Sequence, residues 1–234
     1  MCLCREIVAR LMPFPLYLPF SKLYQNSHYK AYFKIVLSNV NFAFKFYTQV
    51  ISEAPDKNIF FSPISISTAF AMLTLGAKSA TLNQIQNGLA LNLNKTQEKE
   101  IHEGFCYLIQ ALNRREREIQ VNMGNGLFLA ETLKPLKKFL EDVKNFYDSE
   151  VFPTDFSNCT SAVKQINNYI EKKTHGKVVN LIEDLDPFTV MILINYVLFK
   201  GKNSIEDIKN TTIVSLMAHQ FTPWNHITWQ IPKH

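Results

Sequence analysis

The most constraining stretch of this sequence is Val190 to Phe199, VMILINYVLF, ten residues with almost no polar break that end in Lys200-Gly201. A run of that length is short for a helix, and its β-branched and aromatic content suits a strand buried on both faces. A strand of this kind needs neighbours on both edges and a layer on each face, so the chain must supply other strands and amphipathic helices. Ile119, Val121 and Met123 alternate with polar partners, and Leu127 and Leu129 resume the alternation after Gly124-Asn125-Gly126. This predicts a second strand, with a turn or bulge at the two glycines. A third, short strand is expected over Glu150–Phe152.

The helices follow from three-and-four spacing. Val40, Ala43, Phe44, Tyr47, Val50, Ile51 and Ala54 predict one helix from Asn39 to Ala54, with those residues as its apolar face, ended by Pro55. Ser62 and Pro63 form a cap and first turn for a second helix that runs to about Leu75 and stops at Gly76. That helix is apolar nearly all round and belongs in the middle of the protein. Further helices are expected over Ser79–Leu89, Thr96–Leu112, Leu136–Tyr147 and Ser161–Lys173. Helices and strands interleave without a βαβ rhythm or an internal repeat, which makes the class α+β.

Composition removes several functions. The formal charge of +5 divides into +3 over residues 1–30, +2 over 31–202 and zero over 203–234, a nearly balanced surface with no basic stripe for nucleic acid. Seven glycines leave little material for phosphate loops, and no nucleotide, metalloprotease or nucleophile-elbow motif occurs. Neither an enzyme nor a cofactor is indicated. The four cysteines form no C-x-x-C pair. His102 and Cys106 make half a metal site at most, and an exposed histidine beside a buried thiol is the favoured reading. Glu183, Asp184 and Asp186 read as a solvated turn, so no metal is expected.

The opening segment, broken by Arg5, Glu6, Arg10, Pro13, Pro15 and Pro19, lacks the uninterrupted core of a secretory signal. The uncharged stretch Asn58–Ala77 contains five hydroxyl residues, among them Ser62 and Ser65, and is read as a helix inside the protein instead of a membrane span.

Several long blocks, in order and at matching spacing, carry a resemblance to the serpins. They are NIFFSPISISTAFAMLTLGA from Asn58, MGNGLFL from Met123, FLEDVKNFYDSEVFPTDF from Phe139, INNYIEKKTHGKVVNLI from Ile166 and LINYVLFKGK from Leu193. The antitrypsin-like secreted branch is the most similar. The resemblance implies a partial serpin fold, with N-terminal helices packed on part of a large central sheet. The implied division is an N-terminal extension over 1–30, a serpin portion over 31–202 and a divergent tail over 203–234.

The implied family activity is suicide inhibition of serine proteases, in which a cleaved reactive loop inserts as a strand into the sheet. By motif, Ser62, Ser65 and Asn195 resemble the polar cluster under the gap where that sheet opens. The later half of the fold and the reactive loop are missing from the match, and residues 203–234 contain no hinge of small residues. A non-inhibitory protein is therefore expected, with a hormone carrier or a strand-adding interaction module as alternatives. A serine protease is a partner by family resemblance only, and neither nucleic acid nor membrane is expected.

Secretion is implied by the same resemblance, and with it three candidate N-glycosylation sites at Asn94, Asn158 and Asn210. Because the match ends soon after Val190–Phe199, one edge of that strand is expected to lie open and to drive self-association through exposed sheet edges.

Overall fold

The computed structural model describes residues 27–53, 59, 61–91, 98–113, 119–201, 211–221 and 228–230. Candidate sites Asn94 and Asn210 lie outside them. The chain forms two compact units, residues 1–116 with 145–147, and residues 117–144 with 148–234.

The first unit is helical. It contains α1 (Ser27–Glu53), α2 (Pro63–Thr74), α3 (Ser79–Gly88) and α4 (Glu98–Leu112). Ser62 caps α2 as expected: its side chain accepts from the Ser65 backbone N–H, and Pro63 opens the first turn where no amide donor is needed. Eight of the twelve residues of α2 are buried, which fits its apolar circumference. Helices α1 and α4 approach closely at Gly104, where a Cβ would stand 2.7 Å from Ile35 Cγ1 and 3.1 Å from the Ala31 carbonyl oxygen. Lys34 closes the same contact with a 2.9 Å ion pair to Glu100.

The expected apolar face of α1 is not the buried one. Ala31, Tyr32, Ile35 and Phe42 are buried, whereas Val40, Phe44, Tyr47 and Ile51 are exposed. Periodicity finds a stripe, but what lies against the stripe is decided by tertiary packing.

The second unit is built on one five-stranded sheet of order β2-β1-β3-β4-β5, comprising β1 (Ile119–Ala130), β2 (Glu150–Thr154), β3 (Met191–Gly201), β4 (Thr211–Phe221) and β5 (Thr228–Gln230). The pair β1–β2 is parallel and the other three pairs are antiparallel. Helix α5 (Lys137–Tyr147) connects β1 to β2 and ends at Asp148 in the left-handed conformation. Helix α6 (Cys159–Lys173) lies on one face of the sheet, where Ala162, Ile166, Tyr169 and Ile170 pack with Phe128, Ile192, Ile194, Tyr196 and Leu198. On the alternate positions, Met123, Leu127, Leu129 and Leu193 are buried as well. The sequence reading of β3 as a strand buried on both faces holds.

Two expectations are corrected here. The pairing of β1 with β3 runs unbroken from Ile119↔Gly201 to Leu129↔Met191, so Gly124-Asn125-Gly126 is neither a turn nor a bulge but the middle of a regular strand. The edge of β3 expected to lie open is paired over its full length, from Met191↔Phe221 to Gly201↔Thr211. Residues 203–234, which periodicity left without elements, supply that neighbour. The signal was weak because Thr211–Phe221 mixes apolar residues with Thr, Ser, His and Gln, and lacks a clean alternation.

Candidate functional site

The buried centre of the sheet holds a pair of amide side chains, one of which, Asn195, sequence reasoning named. Register places Asn125 on β1 opposite Asn195 on β3. Both are buried, and Asn195 Nδ2 donates to Asn125 Oδ1 at 2.7 Å. Asn195 Oδ1 accepts no hydrogen bond from the described residues, and a buried acceptor left so costs free energy.

The two glycines that flank Asn125 make room for two tyrosines. A Cβ on Gly124 would lie 2.4 Å from Tyr196 Oη, and one on Gly126 would lie 2.7 Å from Tyr169 Cε1. Tyr169 projects from α6 and its hydroxyl donates to the Asn125 carbonyl oxygen at 3.0 Å. Its ring is boxed by Phe128 and Phe152, edge-on at 5.5 and 5.1 Å, with those two stacked at 4.9 Å. Beside it Lys173 pairs with Glu150 and lies 5.5 Å from the Tyr169 ring centroid, a cation over an aromatic face. The bond to Glu150 raises the Lys173 pKa, while burial raises that of Tyr169 well above the ordinary phenol value and also raises that of Tyr196. The two phenols thus stay neutral at working pH, and that of Tyr169 holds the β1 backbone at Asn125.

The other expected site residues fall as follows. Ser62 and Ser65 stand together at the start of α2, and the Ser65 hydroxyl, buried like that of Thr68 a turn later, has no hydrogen-bond partner among the described residues. Asn158 is exposed and caps α6, accepting from the Ser161 N–H at 3.2 Å. His102 reverses its expected role. It is buried, with Nδ1 at 2.6 Å from Tyr147 Oη, whereas Cys106 is half-buried and bonded to Gln110 and the Asn145 carbonyl. A helical position four residues from a cysteine does not say which of the two faces the core. Glu183, Asp184 and Asp186 are exposed, and Asp184 and Asp186 accept from nearby backbone N–H groups, as a solvated turn requires.

Sequence reasoning named Asn195 but missed Asn125, Gly124, Gly126, Tyr169 and Tyr196. A Gly-Asn-Gly triplet inside an uncharged, alternating segment was the available signal, since glycine weakens a strand unless something must approach closely.

A mixed sheet whose long central strand lies between antiparallel neighbours, with a parallel strand at one edge, a helix over one face and a separate helical unit, defines an α+β protein. The sequence profile of the Serpin (serine protease inhibitor) family matches residues 37–215. Thyroxine-binding globulin of Ovis aries is 46% identical over 209 residues, covering 83% of this chain and 50% of the relative. Alpha-1-antichymotrypsin of Homo sapiens is 50% identical over 165 residues, covering 70% of this chain and 39% of the relative. Among solved structures, reactive-loop-cleaved human thyroxine-binding globulin superposes with a TM-score of 0.67 at 37% identity, covering 86% of this chain and 69% of that one. A thyroxine-binding globulin complex with thyroxine gives 0.65 at 45% identity, covering 78% and 53%. The chain belongs to the serpin family. It spans about half the length of the curated relatives it matches.

Proposed function

We propose that these 234 residues form a non-inhibitory member of the serpin family, a binding protein and not a catalyst or a protease trap. The observation that carries this reading is the pairing of β4 along the whole of β3. Trapping by this family requires a cleaved loop to enter the large sheet as a new strand. Here the position beside β3 is filled by Thr211–Phe221 of the same chain. Incubation with trypsin-like, chymotrypsin-like and elastase-like enzymes, followed by denaturing electrophoresis, tests the reading. Cleavage without a covalent adduct is expected, and one denaturant-stable complex overturns it.

A carrier of a small hydrophobic ligand is the second reading, favoured by 46% identity to a thyroxine-binding globulin. Saturable quenching of intrinsic fluorescence by thyroxine, competed by unlabelled hormone, would support it. No quenching up to solubility would remove it.

Within the first reading, Ser62, Ser65 and Asn195 are proposed as the family's sheet-opening polar residues. The motifs that carry them, NIFFSPISIS from Asn58 and LINYVLF from Leu193, support this. A double-mutant cycle of Ser65→Ala with Asn195→Ala tests it. Coupling above about 0.5 kcal/mol is expected, and additive effects would separate the residues. Secretion and glycosylation belong to the same proposal. Exposed Asn158 is the described sequon, and a glycosidase-sensitive mass shift lost in Asn158→Asp is the expected outcome.

A further inference from the structure

Helix α1 carries an apolar seam that the reading of function leaves unused. Leu37, Val40, Phe44, Tyr47 and Ile51 are 65%, 46%, 70%, 46% and 37% exposed. Their spacing is three, four, three, four, and at 3.6 residues per turn they fall within an arc of about 80°. The buried side of α1, with Tyr32, Ile35 and Phe42, is a different face. Scattered exposed apolar residues need no explanation, but five on one line over about 21 Å of helix do.

We infer that this seam is a self-association surface, on which α1 of a second copy packs antiparallel about a two-fold axis through Phe44. Four observations favour a second copy. The spacing is that of a helix pair whose side chains interlock. The seam lies between uncharged flanks: Asn41 and Thr48 on one side, Val36, Ala43 and Val50 on the other, and Lys45, the only charged residue between Leu37 and Ser52, stands off the seam. Two identical seams therefore meet without like-charge repulsion.

Antiparallel pairing about Phe44 also sets Leu37 against Ile51, brings the smaller Val40 beside the larger Tyr47, and opposes the two helix dipoles. Finally, the five side chains expose on the order of 500 Å² per copy, so a pair would remove at most about 1,000 Å², at the low end for a specific interface. The dimer is thus a weak, reversible one. This inference rests on α1 alone and is independent of the proposed function.

Sedimentation equilibrium of the full chain between 1 and 100 µM, concentrations set by the weak-interface regime, reads the association. A reversible monomer–dimer equilibrium is expected, weakened at least tenfold by Phe44→Glu. Because Phe44 is 70% exposed, that variant should keep the far-ultraviolet dichroism of the parent. Geometry is read by oxidative cross-linking and peptide mass spectrometry. Introduced thiols in Phe44→Cys should join to one another across the axis. Leu37→Cys should join to Ile51→Cys in a mixed sample but not to itself. A monomer throughout the range, a dimer indifferent to Phe44→Glu, or self-joining of Leu37→Cys would each overturn the proposal.

Discussion

Gly126→Ala is the sharpest single test of the packing at the sheet centre. The added methyl would stand 2.7 Å from Tyr169 Cε1 and 2.9 Å from Cζ, closer than carbon atoms tolerate. Relief requires the ring to retreat by most of an ångström. It cannot do so cheaply, because Phe128 and Phe152 box it and its hydroxyl is held by the Asn125 carbonyl at 3.0 Å. Overpacking costs about 1–3 kcal/mol and the strained hydrogen bond about 1 kcal/mol more. Removing a glycine from a strand returns about 0.5–1 kcal/mol through the unfolded state. The net expectation is a loss of about 2 kcal/mol, or roughly 1 M in the urea midpoint at a slope near 2 kcal/mol per molar. Gly88→Ala is the control, since a Cβ there meets nothing within 4 Å and the helix gains up to about 1 kcal/mol. Equilibrium unfolding in urea, followed by far-ultraviolet dichroism, reads both. If Gly126→Ala loses less than about 0.5 kcal/mol, or gains as Gly88→Ala does, the ring is not confined and the packing argument fails.

Asn195→Asp places a carboxylate in a fully buried position facing Asn125 Oδ1, so its folded pKa should rise above that of the unfolded chain. The variant should therefore lose stability as pH rises above about 4 and recover toward the parent below it, in urea titrations at several pH values. Tyr32, Tyr147, Tyr169 and Tyr196 all have pKa values raised first of all by burial above 10.0, so the unfolded chain releases their protons before the folded one. Stability contributed by these groups is complete below pH 10 and falls as pH rises further, and the tyrosinate absorbance of these four side chains should appear together with unfolding instead of before it. Asn158→Ala should cost about 1 kcal/mol through the lost cap of α6, whereas Asn158→Asp, which keeps an acceptor for the Ser161 N–H, should cost only a few tenths. Tyr147→Phe removes the 2.6 Å contact with His102 and should cost about 1–2 kcal/mol in thermal or urea unfolding.

Much of the architecture was legible because local signals agreed. Ser62-Pro63 fixed the start of α2 to the residue, and Asp148 to Thr154 resolved into a helix stop and a strand close to where alternation placed them. Three features were not legible, each for a physical reason. The outward turn of Phe44 and Tyr47 depends on which face of α1 finds a partner, and a stripe does not encode that. The straight course of β1 through Gly124 and Gly126 depends on Tyr169, 43 residues beyond Gly126 in the chain, and on Tyr196 across the ladder. The partner of β3 lies in a segment whose own pattern is faint, and long-range pairing rescued what propensity did not mark. Of the buried amide pair, Asn195 was named through the resemblance, but Asn125, its hydrogen-bond partner, was hidden in a triplet that reads locally as a turn.

The central claim is that Thr211–Phe221 closes the edge of β3, and hydrogen exchange of the β3 amides tests it most directly. Amides along an antiparallel strand point alternately to its two neighbours. With β1 on one side and β4 on the other, all amides from Met191 to Gly201 should be protected, and the two alternating sets should exchange at comparable rates. Protection confined to every second amide, those that face β1, would show an open edge and contradict the account.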